Sequence, residues 1–331
     1  MPELRLTHQG DHLHIQLGAR QTQVEWRRFV ALAGDAVRLA NDPAGYGREL
    51  YTLVFADAAL RAAVESLSSG ARLLLVSDDE QIGAAGWEYL RDGEDRLVAG
   101  RLSLVRGLAA GAVRAGAAYQ LPAAPARVEI VAVVAAPVND AQALDTEGEW
   151  KQLHGAVVKA GKAVRLTRVR PPTLATMSRT INPNACSIVH FMGHSNSVEG
   201  RSVLYFEDEV GHGQAVAAGA FADRLDPGVA LVVLNSCRSA VAAEWTEFGN
   251  LARGLAGRGV PYALGMRAVL PDAAAVEITG ALYAYLLQGR SIEDAVRRLR
   301  DDLAANALLA SAAWLAGLPL LYTGLPADAP R

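Results

Sequence analysis

Five short, almost unbroken apolar runs constrain this chain more than any other feature. They lie at residues 73–76, 128–134, 187–191, 229–234 and 262–266. A strand with one wet face alternates apolar and polar side chains, whereas a continuous run implies burial on both faces. Between and after these runs, apolar residues fall at helical spacing over 145–160, beyond Glu247, and over 272–288 and 291–305. Strands that alternate with helices predict a mainly parallel sheet covered on both sides. The expected fold class is therefore α/β, a three-layer α/β/α sandwich.

Composition narrows the possible functions. Of 331 residues, 51% are hydrophobic and 20% charged, enough apolar surface to bury a sizeable core. A net charge of −3 supplies no basic face for direct nucleic-acid binding. Two cysteines, Cys186 and Cys237, are too few for a disulfide framework and point to a reduced setting. The start Met1-Pro2-Glu3-Leu4-Arg5 has no apolar signal-peptide core, and no apolar run is long enough to cross a bilayer. The expectation is a cytoplasmic protein with no membrane contact.

Along the chain, a β-hairpin is expected around Gln9-Gly10-Asp11, and helices over 24–40 and 47–67. Residues 1–66 thus read as a mostly helical N-terminal segment, a candidate docking or regulatory region. The Ala/Gly/Pro-rich stretch 107–126 reads as a linker. It separates an upstream subregion, 67–125, from a core, 126–331. Within the core a hairpin is expected near 203–207 and a helix over 214–225.

Chemistry in parallel sheets collects just past the carboxyl ends of strands. Two runs end in reactive side chains there: Ser187-Ile188-Val189-His190-Phe191-Met192-Gly193-His194, and Leu231-Val232-Val233-Leu234-Asn235-Ser236-Cys237. If the two strands are neighbours, His194 and Cys237 face each other. A thiol is a good nucleophile near neutral pH, and an imidazole can deprotonate it and then protonate a leaving amine. Backbone N–H groups at Cys237 and just after His194 would bind a developing oxyanion. The plainer alternative is that a cysteine after an apolar strand is simply a small buried residue.

Other chemistries fit less well. Cys186, His190 and His194 would line one face of a helix with zinc-ligand spacing, but Ile188-Val189 favours a strand. Residues four apart on a strand are about 13 Å apart and cannot share an ion. His190 and Cys186 are then packing residues. The segment 155–163 resembles a phosphate loop but has the wrong glycine spacing and no closing Ser or Thr. Asp272, after Leu270-Pro271, reads as a helix cap or as a pocket carboxylate. Glu207-Asp208-Glu209 reads as a solvated hairpin tip. If Asp272, Glu207 or Asp208 reaches the substrate pocket, charge pairing favours a basic residue there.

These residues resemble a family. Gly193-His194, followed 43 residues later by Asn235-Ser236-Cys237, is similar to the His and Cys blocks of caspase-like (clan CD) cysteine peptidases, and specifically the separase-related CHAT domain. Gly86-Trp87-Glu88-Tyr89-Leu90-Arg91-Asp92-Gly93 resembles the family's Pro-Trp-Glu-Leu-Leu segment. Residues 203–211, 251–272, 288–295 and 314–324 fit its remaining motifs. The resemblance covers roughly 70–325 and identifies 67–331 as a CHAT domain. It implies a caspase-like fold and a dyad of Cys237 as nucleophile and His194 as general acid/base, with no cofactor. It also implies an endopeptidase acting on protein through a thioester, switched on by a partner protein or signalling complex in bacterial defence or cell death. Gly193 and Ser195, with Asn235 and Ser236, would shape the oxyanion site and the turn. The family commonly has Gly-His-Gly, so Ser195 is a departure: a Cβ there disfavours a left-handed backbone if one is required. The other reading of the same residues is a catalytically silent interaction module.

Overall fold

The apolar runs become strands with no wet face: all seven residues of Val229–Asn235 are buried, as are all five of Arg72–Val76. The structure, a computed structural model, describes residues 2–108, 128–139, 144–161, 164–198, 201–235, 247–268, 270–305 and 312–325. The expected linker at 107–126 falls almost wholly outside them. Contacts divide the chain into two units, Met1–Ala110 with Val296–Leu321, and Gly111–Ala295 with Tyr322–Arg331. The boundary between these two contact units falls near residue 110.

The first unit opens with a meander of β1 (Glu3–Gln9), β2 (His12–Leu17) and β3 (Arg20–Glu25). Glycines with left-handed backbones, Gly10 (φ 59°) and Gly18 (φ 60°), make its two turns. Leu4, Leu6, Leu13 and Ile15 point inward while alternate residues stay wet, the pattern of a half-buried antiparallel sheet. The segment expected to be mostly helical therefore begins as sheet. Four helices follow: α1 (Trp26–Ala33), α2 (Ala36–Asn41), α3 (Pro43–Val54) and α4 (Ala58–Glu65). Each helix expected from periodicity is two, because Asp35 and Asp57 accept backbone N–H bonds from Arg38 and Leu60 and start new helices. Then come β4 (Arg72–Val76), α5 (Glu80–Ala84), a 3-10 turn (Trp87–Tyr89), α6 (Val98–Arg101) and β5 (Ser103–Gly107). Strand β4 pairs in parallel with β1 and β5.

The second unit contains β6 (Val128–Val134), α7 (Thr146–Ala160), β7 (Val164–Arg168), α8 (Leu174–Thr180), β8 (Cys186–Met192), β9 (Ser195–Val198), β10 (Arg201–Glu207), β11 (Gly213–Ala217), α9 (Ala218–Ala222), β12 (Val229–Asn235), α10 (Glu247–Gly257), β13 (Tyr262–Met266) and α11 (Asp272–Leu286). Five strands form a wholly parallel sheet in the order β7-β6-β8-β12-β13. Adjacent residues of β8 point to opposite faces. His190 bonds to α7 on one side, while Phe191 meets Phe206 of β10 and, through it, Phe221 of α9 on the other. The sheet is thus covered on both faces, in agreement with the expected α/β sandwich. Strands β9, β10 and β11 form a small antiparallel sheet. The helix expected over 214–225 is shorter: residues 213–217 pair with β10, and only Ala218–Ala222 is helical. The chain ends with α12 (Ile292–Ala305), α13 (Ala312–Leu315) and β14 (Pro319–Thr323), the last lying beside β5. Among the described residues, no helix is long and apolar enough to cross a membrane.

The Trp-Glu motif has a clear role inside the first unit. Trp87 donates its indole N–H to Ile82 O, and the fully buried Glu88 pairs with Arg106 of β5 through both carboxylate oxygens, at 2.7 and 2.6 Å. Arg106 also donates to Ala85 O. Arg300 of α12 donates to Leu104 O and Pro319 O, and burial pushes its guanidinium down to about 10. Removing one member of a buried pair strands the other's charge. Glu88→Ala is therefore expected to lose about 3–5 kcal/mol of stability, read as a lower urea midpoint.

Candidate active site

The conditional placement behind the proposed pair holds: β8 and β12 are direct neighbours, parallel, with Met192 opposite Asn235 at their carboxyl ends. His194 lies two residues beyond Met192, and its carbonyl accepts a 2.9 Å bond from Tyr205 N at the start of the small sheet. The His194 side chain is buried. Cys237, two residues after Asn235 in sequence, and Ser236 lie outside the described residues.

Gly193 sits in a tight place. A Cβ there would fall 3.0 Å from Ala135 O and 3.1 Å from the Phe191 ring. Ser195 is the first residue of β9, opposite Leu204. Among the described residues Asp95 is the one non-glycine with a left-handed backbone, so the Cβ of Ser195 imposes no such strain. Its hydroxyl is buried with no hydrogen-bond partner among the described residues.

Asn235 does more than shape a turn. It is almost fully buried, and its Nδ2 donates to Glu149 Oε1 (2.6 Å) and Ala275 O (3.2 Å), with Thr279 Oγ1 also at 3.0 Å. The same Glu149 oxygen accepts from Thr279 Oγ1 (2.8 Å) and pairs with His190 Nε2 (2.9 Å). The other ring nitrogen of His190 meets Tyr283 OH at 2.9 Å, and the two rings stack at 5.5 Å. Burial, and then the nearby Glu149 charge, push the Tyr283 phenol well above its usual range, so it stays protonated. A carboxylate only accepts, so the bond to Glu149 places a proton on His190 Nε2. Burying a carboxylate costs several kcal/mol, offset by three donors at about 1.5–3 kcal/mol each and by the N-terminal turn of α7.

His190 is therefore a hydrogen-bonded member of a buried cluster, not a plain packing residue. Sequence reasoning missed Glu149, Thr279 and Tyr283 altogether. The available signal was polar: His190 and Asn235 interrupt or end apolar runs, and a buried polar side chain requires partners. Cys186 and His190 are strung along a strand, so the helical zinc spacing does not form. Residues 155–160, the near-match to a phosphate loop, are helix α7.

The three candidate pocket carboxylates separate. Asp272 is the first residue of α11, and no side-chain bond caps that helix, so it is not the cap. It lines a crevice of about 10 Å³, the size of one water, together with Glu149, Gly193, Asn235, Thr146 and Ala275. Glu207 instead accepts from Ala136 N at 2.8 Å. Asp208 accepts from Val210 N and His212 N, bonds that hold its carboxyl below the usual range. Both carboxylates are thus committed to building the β10–β11 hairpin and its seat. The Asp208 turn is expected to stay closed above the ordinary carboxylate range and to open as pH falls through its lowered pKa, visible as faster amide exchange at Val210 and His212. Gly193→Ala should overpack the end of β8 and cost about 1–3 kcal/mol, measured by thermal unfolding.

Comparison with known proteins places these features in a family. The family model described as CHAT domain matches residues 44–319. No curated protein sequence matches the chain. Among solved structures, the chain is similar to the Drosophila initiator caspase Dronc, with 14% identity, 53% of this chain and 71% of that chain covered, and a TM-score of 0.36. It is also similar to the Arg-specific cysteine proteinase gingipain R, at 10% identity, 81% and 67% coverage and a TM-score of 0.49. A third similarity is to the Saccharomyces cerevisiae separase–securin complex, at 12% identity, 92% and 21% coverage and a TM-score of 0.44. Because the family model takes in most of its length, this chain belongs to the CHAT domain family.

Proposed function

We propose that this chain is a cysteine endopeptidase acting on a protein substrate. The observation that carries the reading is the β8–β12 register: Met192 faces Asn235, and His194 and Cys237 each follow their strand's paired residue by two. The His194 imidazole takes the thiol proton of Cys237, and the thiolate attacks the scissile carbonyl carbon. Collapse of the tetrahedral intermediate expels the amine, which receives its proton from His194, and leaves a thioester. Water, deprotonated by His194, then hydrolyses the thioester and frees the thiol. Backbone N–H groups at Cys237 and Ser195 stabilise the oxyanion in this scheme.

In the same reading, a substrate side chain that reaches Asp272 is favoured when basic, by charge pairing. The resemblance to clan CD peptidases further supports control by a partner protein or signal, within a bacterial defence or cell-death system. Ser195 gives one reason to keep a second reading, a silent interaction module, because the family commonly has glycine there. Its backbone needs no glycine, however, so Ser195→Gly should change kcat little.

Incubation of the full chain with a diverse peptide library, beside Cys237→Ala and His194→Ala, tests the proposal. Loss of cleavage by about 10³-fold or more in both variants is the expected result. If wild type cleaves nothing, labelling with an electrophile decides: selective reaction at Cys237 over Cys186 supports a peptidase awaiting its activator, and equal inertness supports the silent module.

A further inference from the structure

We propose that Glu149 is a positioning residue that fixes the end of β12, two residues before Cys237 in sequence, acting through Asn235. The inference rests on the peptidase reading only for its catalytic consequence; the anchoring itself stands on the contacts of one atom. Glu149 Oε1 gathers Asn235 Nδ2 of β12, His190 Nε2 of β8 and Thr279 Oγ1 of α11 at 2.6, 2.9 and 2.8 Å. It thereby ties together the two strands that lead into His194 and Cys237.

The geometry goes further than a packed core requires. A bond to a charged acceptor is shorter and more directional than a neutral one, and three such bonds on one oxygen leave little freedom to any donor. The two amide protons of Asn235 meet three acceptors, Glu149 Oε1, Ala275 O and Thr279 Oγ1, which set the orientation of its amide. Asn235 is the last residue of β12, so pinning its side chain to α7 and α11 fixes that end of the strand. His190 is held from both sides, by Glu149 and by the Tyr283 hydroxyl and ring. The strand leading to His194 is thus clamped by the same carboxylate, four residues before the histidine. An apolar residue at 149 would fill the space yet could not orient Asn235.

The test uses the full chain with two variants on α7: Glu149→Gln, which keeps the shape and removes the charge, and Val157→Ala, a buried residue outside the cluster. Hydrogen exchange at the carboxyl ends of β8 and β12 is read with thermal stability and with peptidase kcat and KM. The expected result for Glu149→Gln is a selective loss of protection there, and a kcat reduced on the order of 10²-fold with KM nearly held. Val157→Ala should keep both at an equal or larger loss of Tm. Unchanged protection in Glu149→Gln overturns the proposal, as does Val157→Ala reproducing the same losses in proportion to Tm. If wild type cleaves no peptide and Cys237 is as inert as Cys186 to the electrophile, but Glu149→Gln still loses protection selectively, the peptidase reading falls and the anchor stands. Should Glu149→Gln not fold, Thr279→Val removes one donor at constant volume: a smaller selective loss supports the anchor, and none overturns it.

Discussion

The ladder between β8 and β12 is the constraint on which the candidate site depends. These two strands are far apart in sequence, and each ends in a residue type useful for acyl transfer. Their parallel pairing, with Met192 opposite Asn235, brings the ends to one edge of the sheet. A parallel pair needs its crossover to run outside the sheet. Here that crossover includes β9, β10, β11 and α9, the small sheet that also receives the carbonyl of His194. The same connection that closes the fold therefore supports the backbone at the histidine.

Each unit also buries a carboxylate, and each resolves the charge differently. Glu88 meets a guanidinium, Arg106, in a two-point ion pair that leaves no net charge behind. Glu149 meets an amide, a hydroxyl and an imidazole, with no cation among the bonded partners that are described. A buried ion pair ties two elements together and is indifferent to small rotations of the chain around it. A carboxylate satisfied by neutral donors depends on all of them being in place at once. The first arrangement suits the Trp-Glu segment, which holds the interior of its unit. The second holds the carboxyl ends of β8 and β12 to two helices at once.

Much of the architecture was legible before any coordinates. The strands at 128–134, 187–191, 229–234 and 262–266 stand within a residue or two of where their apolar runs predicted, because burial on both faces leaves an uninterrupted signature. The N-terminal meander was only half legible. Its first hairpin carries alternation and a turn glycine, whereas β3, Arg-Gln-Thr-Gln-Val-Glu, has a single apolar residue and takes its structure from pairing with β2. Likewise Gln214–Ala217 has no helical or strand signature strong enough to override the open edge of β10.

At the site, local chemistry was readable and long-range chemistry was not. Gly193-His194 and Asn235-Ser236-Cys237 stand out because reactive side chains after apolar runs are visible in one dimension. That Asn235 bonds to Glu149, 86 residues away, and to Thr279, 44 residues away, has no trace in spacing. By itself the sequence determined which segments must be buried strands and which two strand ends are followed by a thiol and an imidazole. Only the tertiary structure decided that those strands are neighbours and that one buried carboxylate serves both. Burial and capping act within a few residues along the chain, whereas strand order and side-chain convergence depend on contacts made after the chain has folded back on itself.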